Sequence, residues 1–84
     1  MPLERHPLAK EFPEYEPLIP RLKDHDSEFA EMLSQYNELD RRIYRFEEHA
    51  QPISDESLEQ LKFRRAELKD RLYLKLRQAA AQSS

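Results

Sequence analysis

From Asp26 onward the apolar residues follow a repeating order. Phe29, Met32, Tyr36, Leu39, Ile43, Phe46 and Ala50 recur at alternating spacings of three and four, a heptad seam sustained for three repeats. Asp26 or Ser27 is placed to cap its start, Glu28 and Glu31 sit at the positive end of the helix dipole, and Pro52 enforces a stop. Helix one is therefore predicted over residues 27–49, about 35 Å long at 1.5 Å per residue. A second start signal follows in Pro52-Ile53-Ser54-Asp55-Glu56-Ser57-Leu58. Ser54 is the expected N-cap, two acids follow it, and Ile53 and Leu58 occupy the positions of a hydrophobic staple. The inner face of helix two runs through Leu58, Leu61, Arg65, Leu68, Leu72 and Leu76. The helix is predicted over residues 55–79, with residues 80–84 as a frayed tail.

The segment before this pattern is punctuated by proline. Pro2, Pro7, Pro13, Pro17 and Pro20 each remove a backbone donor and bias the preceding residue toward extended conformations, so residues 1–11 read as a flexible arm. Pro13 and Pro20 can each open a helical turn, which predicts a short helix within residues 13–24 presenting Tyr15, Leu18, Ile19 and Leu22. Residues 12–78 then form a single domain. A short connection makes the two long helices antiparallel and sets Phe46 against Leu58, Ile43 against Leu61, Tyr36 against Leu68 and Met32 against Leu72. That register puts Arg65 opposite Leu39, with its stem packed and its guanidinium near Asp40 or Glu38. A polar residue at one inner position is a device that fixes register, the role expected of Arg65, Asp40 and Glu38. The predicted fold class is all-α: an antiparallel, coiled-coil-like two-helix hairpin preceded by a proline-containing segment with a short helix.

Composition narrows the function. The 84 residues include no glycine, cysteine, tryptophan, valine or threonine. Without glycine the chain cannot build Gly-rich phosphate loops or dinucleotide turns, where backbone must approach a phosphate with no side chain in the way. Without cysteine there is no disulfide frame, thiolate nucleophile or Cys-based metal site. Three isoleucines are the only β-branched residues, so a sheet is not expected. Charged residues make up 37% of the chain, with a net charge of −3, which suits long solvated helices and argues mildly against nucleic acid as the main ligand. Neither a signal-peptide-like apolar run nor a membrane-length apolar stretch is present, so the expectation is a cytoplasmic protein with no membrane partner.

Candidate chemistry is sparse. Residues 62–77 carry seven basic and two acidic side chains with aromatics between them, as a nucleic-acid-binding or membrane-surface helix would. Residues 11–40, however, hold nine acidic and two basic side chains, and an antiparallel hairpin lays the two regions side by side. Internal charge compensation is the preferred reading, and Arg64, Lys69, Arg71, Lys75 and Arg77 form the alternative basic face. His6, His25 and His49 have no second histidine at helical ligand spacing, so no metal or other cofactor is expected. The clusters Asp24, Asp26, Glu28 and Glu47, Glu48 lack the concave, partly desolvated pocket that separates catalytic pKa values. Ser27 and Ser54 read as caps rather than nucleophiles, and no enzymatic activity is expected.

A second apolar set lies away from the seam: Phe63, Ala66, Tyr73 and Leu74 on helix two, with Tyr44 and Leu33 as weaker counterparts on helix one. The N-terminal segment is expected to cover part of it through Tyr15, Leu18 and Leu22, and a second chain to cover the rest. This predicts a homodimer, with a further, unidentified protein partner as the other candidate.

The run FPEYEPLIPRLKDHDSEF, then YNELDRRI, then the basic stretch ending in AELKDRL, resembles the YdcH-like family of small bacterial proteins, a domain of unknown function. The likeness covers roughly residues 12–77. It implies a helical hairpin of coiled-coil character in a bacterial cytoplasm and brings no catalytic residue or cofactor with it. The leading functional reading is a non-enzymatic interaction module that self-associates. The alternative is a nucleic-acid-binding accessory protein that uses the basic face.

Overall fold

Two side-chain caps fix where the long helices begin. In the computed structural model, which describes residues 7–48 and 53–83, the Phe29 amide donates to Asp26 Oδ1 at 3.1 Å, and α3 runs over Ser27–Glu48. The Ser57 amide donates to Ser54 Oγ at 3.1 Å, and α4 runs over Asp55–Ser83. Each cap satisfies an amide that has no partner within the helix. The ion pairs between α3 and α4 establish that they are antiparallel: Lys62 meets Glu47, Arg65 meets Asp40, and Lys75 meets Asp26 and Glu28, so positions rise on one helix as they fall on the other. The protein is an all-α hairpin with no strand among the described residues. The expected end of helix one at His49 or Ala50, and the stop at Pro52, lie outside the described residues, as does His6.

The N-terminal segment departs from expectation. Of the predicted arm, residues 8–11 form a helical turn, α1 (Leu8–Glu11), and Leu8 is 2% exposed within the core. Pro7 opens this turn, its carbonyl accepting from the Lys10 amide at 2.9 Å. A 3₁₀ turn over Pro13–Tyr15 and then α2 (Leu18–His25) follow, in place of one short helix. Pro20 falls in the first turn of α2, where the missing amide leaves no helical bond unmade. At Asp26 the backbone turns extended, with φ −130° and ψ 105°, which separates α2 from α3.

This segment packs along the open end of the hairpin, where α2 touches both α3 and α4. The core there joins Leu8 to Phe29, Leu33 and Tyr36 of α3 and to Leu68, Leu72 and Leu76 of α4, with Phe12, Tyr15, Leu18, Ile19 and Leu22 packed against it. Toward the closing turn only two layers are formed by the described residues, and Phe46, Leu58 and Leu61 are half-buried. The extra layer rotates the inner face of α3. Phe29, Leu33, Tyr36, Asp40 and Ile43 are buried, while Met32 and Leu39 of the expected seam are only half-buried. The expected frayed tail is also helical as far as Ser83, because Ala79, Ala80 and Ala81 are the best helix formers available.

Burial of Leu8 yields a measurable contrast. Leu8→Ala should lower the unfolding free energy by about 2 kcal/mol, at the lower end for a buried leucine because the terminal turn can relax. Urea denaturation of the variant checks this, and an unchanged midpoint would mean that the arm contributes nothing.

Candidate interaction surface

The polar centre of the hairpin is Asp40. Its side chain is 2% exposed and Arg65 donates through Nη1 to Oδ1 at 3.0 Å, while the Arg65 side chain keeps 21% exposure. Arg65 thus leaves the seam sideways as its sequence position implies, and its partner is Asp40. Glu38, the other candidate for setting register, instead faces Arg41 at 3.8 Å on the surface of α3. Tyr36, 1% exposed, lies one turn before Asp40. Burial, together with the charges of Glu11 and Asp40, pushes its hydroxyl up to about 12, against a smaller opposing effect of Arg65.

At the open end one carboxylate performs two tasks. Asp26 caps α3 through Oδ1 and accepts from Lys75 Nζ at 2.8 Å through Oδ2. Glu28 adds a second, longer contact to Lys75 at 3.7 Å. The hydrogen bond from Lys75 holds Asp26 below the usual carboxylate range, and the same bond holds Lys75 above the usual ammonium range.

These contacts decide how much of the basic face is free. Lys75 is committed to Asp26, Lys69 lies 3.9 Å from Glu11, and Arg64 donates to Glu67 Oε1 at 3.0 Å. Arg71 and Arg77 alone of the five are exposed with no carboxylate in ion-pairing range among the described residues. A cleft of about 240 Å³ is lined by Glu11, Tyr36, Lys62, Arg65, Ala66 and Lys69. Its three cations face Glu47, Asp40 and Glu11, so it carries no surplus positive charge to attract an anion. Among the described residues no three His, Asp or Glu side chains are grouped to hold a metal ion.

The second apolar set divides. Phe63 is 72% and Leu74 53% exposed, and Ala66 is exposed beside them. Tyr73 is half-buried, because the rings of Phe12 and Tyr15 pack on it at centroid distances of 5.0 and 6.0 Å. Leu33 is a core residue at 8% exposure, covered by the N-terminal layer, and Tyr44 is half-buried. Among the described residues the exposed large apolar side chains, Phe63 and Leu74, therefore both lie on the back of α4. The sequence expectation of cover from Tyr15 holds, and Phe12, Leu8 and Glu11 join that layer. Their signal is local and faint: Leu8 and Phe12 stand four apart, as two residues on one helical face do.

The contacts of Asp40 and Asp26 lead to two predictions. Arg65→Leu leaves a buried carboxylate without its cation and should cost about 3 kcal/mol, whereas combining it with Asp40→Leu should cost less than Arg65→Leu alone; denaturation in urea of Arg65→Leu, Asp40→Leu and the double variant checks the cycle. Asp26→Asn keeps a cap and removes the charge. Because the folded state lowers the Asp26 pKa, its contribution is complete above the unfolded value of 3.8 and is lost as pH falls through the lower folded value. The stability gap between wild type and Asp26→Asn should therefore be flat from about pH 5 to 9 and shrink below about pH 4, as acid titration of thermal unfolding would show.

A protein-family model described as a protein of unknown function, DUF465, matches residues 29–76, which cover most of α3, the connection and most of α4. Comparison with curated proteins and with solved structures gives no match. The matched segment is more than half of the chain and holds both partners of the Asp40–Arg65 pair, and the protein belongs to the DUF465 family, of which the YdcH-like proteins are members.

Proposed function

We propose that this protein is a non-enzymatic protein–protein interaction module that self-associates through its helical hairpin. The observation that carries the reading is the exposure of Phe63 and Leu74 on the back of a helix whose opposite side is already buried. A large aromatic side chain left in water on a rigid helix is a binding anchor, since burying it contributes about 1.5–3 kcal/mol. The contacts of Lys69 and Lys75 with Glu11, Asp26 and Glu28 favour this reading over nucleic-acid binding, because they neutralise two of the five cations that such a ligand would need. No helix among the described residues is long and apolar enough to cross a membrane, and the expected setting, by family likeness, is a bacterial cytoplasm.

Two large apolar side chains per chain make a small interface, so the dissociation constant should be micromolar or weaker. Sedimentation equilibrium at about 100 μM should show dimer. Phe63→Ser and Leu74→Ser should each weaken association by about tenfold or more without loss of helix by circular dichroism. A wild-type chain that stays monomeric, or salt-sensitive RNA or DNA binding at about 50 mM salt, would overturn the proposal.

A further inference from the structure

The back of α4 carries a second heptad. Phe63, Glu67, Asp70, Leu74, Arg77 and Ala81 follow one another at alternating spacings of four and three, on the side opposite the buried Leu68, Leu72 and Leu76. At 3.6 residues per turn, Leu74 and Ala81 fall within about 20° of Phe63, so these six positions form one continuous stripe. Phe63, Asp70, Leu74, Arg77 and Ala81 are exposed and Glu67 is half-buried.

The charges within this stripe limit what can lie on it. Against a second copy in parallel, every seam position meets itself, which sets Glu67 on Glu67, Asp70 on Asp70 and Arg77 on Arg77. Three like-charge layers disfavour that arrangement. In an antiparallel pair each position of one heptad class meets the other class. With Phe63 level with Ala81 of the second copy, Glu67 meets Arg77 and Asp70 meets Leu74, each contact occurring twice by symmetry. Asp70 and Arg71, neither of which has an ion-pair partner among the described residues, then cluster beside the two-fold axis. Arg64 occupies only Oε1 of Glu67, which leaves Oε2 for Arg77 of the second copy.

Sliding by one heptad in either direction is worse. One slide sets Phe63 on Leu74 but places Glu67 against Asp70, gathering four carboxylates at the axis. The other runs Phe63 past the helix end and leaves it uncovered.

Resting on the self-association reading, we infer that the protein pairs as a two-fold antiparallel dimer of α4 helices, in the register that joins Glu67 of each copy to Arg77 of the other. The occupant of the exposed stripe is a second copy of this chain, selected by charge complementarity along the heptad.

Charge reversal tests the register separately from association itself. In sedimentation equilibrium, Glu67→Arg and Arg77→Glu should each weaken the dimer by about tenfold or more, because each creates like-charge contacts twice. The chain carrying both reversals should return to within about threefold of wild type. Helix content by circular dichroism should be the same in all, since both positions lie outside the core. A wild-type dimer that is indifferent to the single reversals, or a double variant as weak as the singles, would overturn the register while self-association stands. A wild-type chain that is monomeric at about 100 μM would overturn both readings.

Discussion

The arrangement of this protein depends on one buried charge. Asp40 lies in the seam between the two long helices at 1% exposure, and a carboxylate there is tolerable only where a cation reaches it. Arg65 does so from α4 at 3.0 Å. Sliding α4 by a turn would leave Asp40 facing leucine and Arg65 without its carboxylate, so the pair discriminates against other registers of an otherwise leucine-rich helix. The cost of burying the carboxylate means that the pair contributes specificity more than net stability, while Leu68, Leu72 and Leu76 supply the apolar burial.

Everything at the open end presupposes that register. Lys75 reaches Asp26 only if α4 is correctly placed, and the same Asp26 carboxylate caps α3. The N-terminal layer then rests on surfaces the hairpin has made: Phe12 and Tyr15 on Tyr73, Glu11 near Lys69, and Leu8 among residues of both long helices. This layer takes one flank of α4 and leaves the back untouched. Phe63 and Leu74 thus remain exposed after every segment of the described chain has been packed, and the proposed dimer would cover them.

The parts of this fold that were readable in advance are those written in short-range chemistry. Asp26 and Ser54 announced helix starts because capping needs a side-chain oxygen within three residues of the amide it serves. Arg65 and Asp40 were legible because a charged residue in an apolar repeat must find its opposite nearby. What the pattern could not show depended on distant packing. The heptad places Met32 in the seam and Leu33 outside it, yet adjacent residues on a helix differ by only about 100°, and the third layer decides which of them turns inward. The burial of Leu8 is not legible in the sequence, because four helical residues between prolines carry no period of their own. The exposure of Phe63 and Leu74 was visible in sequence, whereas the loss of Tyr73 from that patch required Phe12 to be placed.

If a second copy covers the back of α4, folding and association are linked, and the unfolding temperature must depend on concentration. Thermal unfolding followed by circular dichroism from about 5 to 500 μM tests this directly: a dimer predicts a midpoint that rises by a few degrees across the series. A midpoint that stays fixed over that hundredfold range would contradict it.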